Sequence, residues 1–437
     1  MSALDHNVLA ITNARLFDPS TELDETGTLL VDAGIIKALG DKIDIPKNTK
    51  IIDAQGLLLL PGLVDMQVNT GEPGSAYRET LATVSEAAAA GGVTSIVTMP
   101  DTDPVIDDAA LVDFISRRAR DTAKVRVFPM AAITKGREGE MMTEFGLLQE
   151  AGAVAFTDAD NPVMNAQIMS RALSYATNFN ALIMHHAQDA NLAGSGVMNK
   201  SEKATRLGLA GIPKTAEIIM IERDIRLVEM TGSRLHVAQI SCAESLDIIR
   251  AAKARGVTIT CGVSANHLML NDNDVENYRT FAKLNPPLRS EDDRLALCAG
   301  VADGSIDIIV SAHNPQDEDT KRRPFEQASF GSIGVETLLG AALTLYHEEI
   351  APLHRIIKAV TSTPAQLLGL STGTLSAGQP ADFNLVDLET PWSVQAENLK
   401  SKSKNAAIEG RKLQGRVMQT FVQGHQIFAA EEHDEWT

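Results

Sequence analysis

The side chains able to do chemistry sit just past short apolar runs. In PGLVDMQVNTGEPG, residues 61–74, Asp65, Gln67 and Asn69 follow such a run, and the two-residue spacing of Gln67 and Asn69 puts them on one side of an extended chain. Asp158 and Asp160 occur in GAVAFTDADNPV, His185 and His186 in ALIMHHAQD, His236 and Gln239 in RLHVAQIS, and His313 and Gln316 in IIVSAHNPQ. Imidazoles and carboxylates gathered in this way are the donors a divalent ion needs to activate water. Carboxamides are neutral and donate weakly, so Gln67, Asn69 and Gln239 serve that chemistry poorly. Gln67 and Gln239 are expected to hydrogen-bond each other or a water. Asp158 and Asp160 could hold a hard cation through water, but paired carboxylates in a turn are more often turn formers. His236, His267 and His313 are candidates for a polar cluster, with loop packing the favoured role. No G-x-S-x-G elbow occurs, and Cys242 lies near His236 only in sequence.

The elements that must position these residues alternate along the chain. Leu57–Leu60 is an apolar run broken by Pro61-Gly62 before Leu63-Val64 resume, the pattern of a short strand covered on both faces. GVTSIVTMP, VRVFPMAAI, GAVAFTD, ALIMHHAQD, RLHVAQIS, VTITCGVS and IDIIVSAHN read as further strands, most preceded by helical periodicity such as SLDIIRAAKARG. Strand, polar loop and helix in repetition predict a parallel α/β fold, and the number of units suits a (β/α)8 TIM-like barrel with its chemistry at the C-terminal strand ends. Short strands with turns also fill Val8 to Leu60 and return from Ala381 and Arg416. They predict a small β-sandwich domain built from both chain ends. The expected division is 1–58 and 371–437 for that domain and 59–370 for the barrel, with EEHDEWT a frayed acidic tail.

The chain has 437 residues, 44% hydrophobic and 22% charged, with a net charge of −18. That charge argues against a nucleic-acid or anionic-membrane surface. Cys242, Cys261 and Cys298 form no C-x-x-C pair and read as buried small residues. No basic region with a long apolar core opens the chain, and no run of ~18 apolar residues occurs, so a cytoplasmic protein is expected.

The segment PGLVDMQVNTGEPG resembles the opening of the amidohydrolase superfamily, and the dihydroorotase branch in particular, where a His-x-His pair precedes Leu-Arg-Glu-Pro-Gly. The resemblance runs across nearly the whole chain and implies where a zinc pair would be held. Gln67 and Asn69 stand at the two histidines, Ala159 at the bridging aspartate, and Gln239 at a histidine. Ala312 stands at the aspartate that ligates metal and transfers protons, and His186 alone is kept. Around them the resemblance implies a relict substrate pocket of Gly71, at the position of the carboxylate-binding arginine, with Asp101, Asn285, His313 and Gln316. Asp101 replaces an asparagine, and Gln316 replaces a histidine of the same loop as His313.

With its partners gone, His186 is expected to be a hydrogen-bonded interior histidine, and His185 to point the other way, into the barrel wall. The implied protein has no catalytic residue and no cofactor. It is similar to non-catalytic dihydroorotase-like proteins, including its ITKGREGE segment at residues 133–140, that assemble with aspartate carbamoyltransferase in pyrimidine biosynthesis. A homo- or hetero-oligomer is expected on that reading. The alternative is an active zinc-dependent dihydroorotase or related cyclic amide hydrolase. Candidates for a contact surface are Lys321, Arg322 and Arg323 and the loop Gly136 to Glu140, although a charge run is usually a solvated face.

Overall fold

The computed structural model describes residues 8–430. The expected tail, EEHDEWT, lies outside the described residues. Strands Leu9–Asp18, Leu23–Asp32, Ile35–Gly40, Lys50–Asp53 and Leu58–Pro61 join Phe383–Ser393, Lys412–Val422 and His425–Ala429 in an eight-stranded sheet. The two chain ends meet where Leu58–Pro61 pairs parallel with Leu9–Asp18 and antiparallel with Phe383–Ser393. Alternation along these strands feeds a core in which Phe383 and Phe421 stack with ring centroids 4.5 Å apart. Burying one such ring contributes about 1.5–3 kcal/mol.

The apolar stretch around Pro61 is two strands and not one. Leu58–Pro61 belongs to the sheet, across the division expected after residue 58, whereas Leu63–Val68 opens the barrel. Gly62 makes the joint because no side chain fits there: a Cβ would stand 2.0 Å from Thr94 Oγ1.

The barrel runs through parallel pairs Leu63–Val68, Val93–Thr98 and Arg126–Pro129, and bridges from Ala131 to Phe156 and from Phe156 to Ile183. It continues through Ile183–His185, Leu235–Val237, Ile259–Ser264 and Ile308–Val310. A parallel bridge between Val68 and His313 closes the ring. The buried Asp65 reinforces the closure, its Oδ1 accepting from the Ser311 backbone N–H at 3.2 Å. Burial pushes the Asp65 carboxyl up to about 6.

Helices cover the barrel where the sequence caps them. Thr80 and Thr83 form a capping box at the start of Leu81–Ala90, and Glu72 accepts from the Leu81 N–H at 2.9 Å. Glu72 also accepts from Arg118 Nε at 2.7 Å, which ties the loop after the first barrel strand to the next helix. Leu338–His347, apolar all round, is buried between barrel and sheet. Cys242, Cys261 and Cys298 are free and buried. Among the described residues no helix is long and apolar enough to cross a membrane.

Candidate functional site

A cavity of about 380 Å³ opens at the C-terminal ends of the barrel strands. Gln67 reaches it from the end of the first barrel strand, Asn69 from just past it, and Ala159 from the turn after Phe156. His186 follows Ile183–His185, Gln239 lies two residues past Leu235–Val237, and Ala312 two residues past Ile308–Val310. All six positions therefore share one wall, together with Asp101, Asn285 and Gln316.

Two expected members of the pocket are absent from its lining. His313 is fully buried behind the wall, its Nδ1 accepting from the Gly334 N–H at 3.2 Å and its Nε2 standing 3.6 Å from Glu79. The step of one residue past Ala312 turns it into the closing bridge. Gly71 lies in a tight turn, φ +69°, in which a Cβ would stand 2.7 Å from the Ser75 carbonyl oxygen. The loop is wound too closely there for any side chain to reach the cavity.

The polar groups present are largely spent on one another. Gln239 Nε2 donates to Gln67 Oε1 at 2.8 Å, and Asn69 Nδ2 donates to Asp101 Oδ2 at 2.6 Å. Asp160 lines the cavity and pairs with Arg137 at 3.1 Å. Asp158 turns away and accepts from the Thr134 backbone N–H at 3.0 Å. Burial and the neighbouring Asp160 push the Asp101 carboxyl above its usual range. Burial drives His186 down to about 4 despite the opposing pull of Asp160, so its imidazole is neutral near pH 7.

The remaining histidines do not form a cluster at the mouth. His185 is sealed in the wall, its Nδ1 2.6 Å from Asp224 and its Nε2 accepting from the Val163 N–H. His236 is fully buried beside Thr260, and of His236, His267 and His313 the cavity is lined by His267 alone. Lys321, read as part of a solvated basic run, is buried. Its Nζ donates to the Ser329 carbonyl at 2.7 Å, and burial lowers it to about 7.

A zinc pair does not fit this donor set. Among the described residues no three His, Cys, Asp or Glu side chains come together in a group able to hold a metal ion. The six positions offer one imidazole, three carboxamides and two methyl groups. Ala159 and Ala312 nevertheless keep left-handed backbone, φ 54° and 50°, a region that aspartate and asparagine enter more readily than alanine.

Several lining residues were not among those expected from the sequence. Ser264 and Asn266 lie at the end of Ile259–Ser264 and on the short helix after it, Asn314 lies in the His313 loop, and Arg78 comes from the loop that contains Gly71. A strand end followed by a capping serine could have marked Ser264 and Asn266; Arg78 is brought in by the winding of its loop, which no spacing rule reveals. A larger cleft of about 790 Å³ between sheet and barrel is lined by Trp392, Phe428 and Leu339 and holds none of the expected residues.

The barrel, the sheet drawn from both chain ends and a cavity at the strand ends define an amidohydrolase-type protein. The L-hydantoinase (dihydropyrimidinase) from Arthrobacter aurescens has this fold, with a TM-score of 0.88 and 23% identity over 97% of this chain and 96% of that one. Residues 56–245 match the family described as Dihydro-orotase-like, and residues 228–428 the Amidohydrolase family. Dihydroorotase of Geotalea daltonii is 45% identical over 95% of this chain and 97% of its own length. Dihydroorotase of Pelobacter propionicus is 43% identical over 96% and 99%. The chain belongs to the dihydroorotase family of amidohydrolases.

Proposed function

We propose that this chain is a non-catalytic member of its family, acting in pyrimidine biosynthesis as a structural subunit that supports aspartate carbamoyltransferase. The observation that carries the reading is the state of the six positions around the cavity: one imidazole is left, and two of the carboxamides bond to each other. Hydrolysis of a cyclic amide needs a strong nucleophile and a polarised carbonyl at neutral pH. Neutral amides supply neither. A supporting role asks only for an intact barrel and its outer surface, and the residues that build turns and strand ends are those retained.

The names of its relatives favour the second reading, an active zinc-dependent dihydroorotase or related cyclic amide hydrolase. One measurement separates them. Purified protein is expected to carry no stoichiometric zinc and to leave dihydroorotate unhydrolysed with or without added zinc. Turnover that disappears in His186→Ala would establish the second reading instead. For the partner, the chain is expected to elute with aspartate carbamoyltransferase as one large species on gel filtration; two separate peaks would remove the transferase from the proposal.

A further inference from the structure

From the lining of the cavity we propose that it is a binding site for a small oxyanion, a carboxylate or a phosphate, held by Arg78. The inference rests on the non-catalytic reading only in treating the occupant as a ligand that leaves unchanged.

Charge gives the first reason. Among the described residues Arg78 is the one lysine or arginine that lines the cavity, and no carboxylate lies within ion-pairing distance of it. Of the two acidic residues in the wall, Asp160 is paired with Arg137, and Asp101 accepts from the neutral Asn69 carboxamide, with its carboxyl pushed above the usual range by burial. Within that wall the Arg78 guanidinium therefore has no carboxylate of its own. Its planar fork matches an oxyanion in a way that a point charge does not.

Unmet hydrogen bonds give the second. Arg78 Nε is buried without a partner, and so are His186 Nε2, His267 Nδ1 and Asn285 Oδ1 in the same lining. Because His267 Nε2 donates to the Pro286 carbonyl at 3.1 Å, its Nδ1 is an acceptor. Leaving such groups unpaired is costly, and one occupant that brings both an anion and N–H or O–H donors answers them together. The volume suits a small metabolite.

Position gives the third. The backbone of Arg78 is held by its surroundings: its N–H donates to the Ser75 carbonyl at 2.9 Å and its own carbonyl accepts from Ser403 Oγ at 2.8 Å, while its guanidinium lies 5.7 Å from the Tyr77 ring centre. The winding that closes off Gly71 is the same one that delivers Arg78 to the wall. With the backbone fixed, only the side chain has to be ordered when the ligand arrives.

The test is calorimetric titration of the full chain with succinate, dihydroorotate and inorganic phosphate, on wild type, Arg78→Gln and Arg78→Lys. At least one of the three is expected to bind wild type saturably. Arg78→Gln is expected to weaken that ligand by about 10- to 100-fold, and Arg78→Lys by less, since charge survives and the fork is lost. The carboxylate and phosphate arms show which oxyanion is preferred. Thermal melts of the unliganded variants check folding, and Arg78→Lys keeps the test decisive if Arg78→Gln melts early. Absence of saturable binding by all three, or equal binding by wild type and Arg78→Lys together with Arg78→Gln, overturns the proposal. Hydrolysis of dihydroorotate by wild type would overturn the non-catalytic reading alone, since loss of binding on changing Arg78 is read independently of turnover.

Discussion

Gln239 Nε2 lies 2.8 Å from Gln67 Oε1, a bond that spans the cavity wall between two barrel strands remote in sequence. Two side chains whose positions imply metal ligands now satisfy each other. Because the pair is half-screened from water, Gln67→Ala or Gln239→Ala is expected to cost about 1 kcal/mol in urea unfolding. The double variant should cost less than the sum of the two, and strict additivity in that cycle would show that the bond contributes nothing.

Substitution along the wall should install metal binding. The combined variant Gln67→His, Asn69→His, Ala159→Asp, Gln239→His and Ala312→Asp places imidazoles and carboxylates on the wall where carboxamides and methyls now stand. It is expected to retain zinc through dialysis, measured by elemental analysis, while wild type retains none. A variant that folds and stays metal-free would mean that the strand ends have moved apart as well as changed residue type.

Ala312 offers a test of stored backbone strain. Its φ of 50° suits asparagine better than alanine and suits a β-branched residue badly. Ala312→Asn is expected to raise unfolding stability by about 0.5–1 kcal/mol, and Ala312→Val to lower it by about 1–2 kcal/mol. The same order of stability for all three side chains would contradict the left-handed geometry.

Acid should unfold the protein early through its histidines. Burial lowers His186 to about 4, His236 to about 3 and His267 to about 4, while each returns to its ordinary value of 6.5 on unfolding. Between 6.5 and 4 the unfolded chain therefore binds protons that the folded one does not, so stability falls as pH falls through that window. Each such histidine contributes a slope of about 1.4 kcal/mol per pH unit. His267→Gln, which keeps a donor for the Pro286 carbonyl, should flatten the pH dependence of urea unfolding by roughly that amount. An unchanged slope would place His267 in contact with water.

The fold was legible because periodicity survives any change of chemistry. Apolar runs followed by polar loops mark the barrel strands, and the two β-rich ends mark the sheet. The joint at Gly62 was not, since an apolar run on either side of Pro61-Gly62 looks the same whether it is one strand or two; their different partners, in the sheet and in the barrel, distinguish them. At the site, residues that follow a strand directly, such as His186 and Gln239, could be placed from their strands. His313 and Gly71 could not. Their orientation depends on loop winding and on which of two adjacent residues faces inward, quantities set by tertiary contacts with Glu79 and Ser75. Lys321 misled for a related reason: a basic run says nothing about carbonyl oxygens that distant loops bring to one of its members.

The crowding at Gly71 limits what that loop can hold. An arginine installed there would collide with the Ser75 carbonyl before it met any substrate, so the residues from 71 to 80 would first have to be refolded along with their ties to the segment around Ser403. Side chains along the cavity wall can be exchanged in place, whereas an arginine at position 71 needs the loop itself rebuilt.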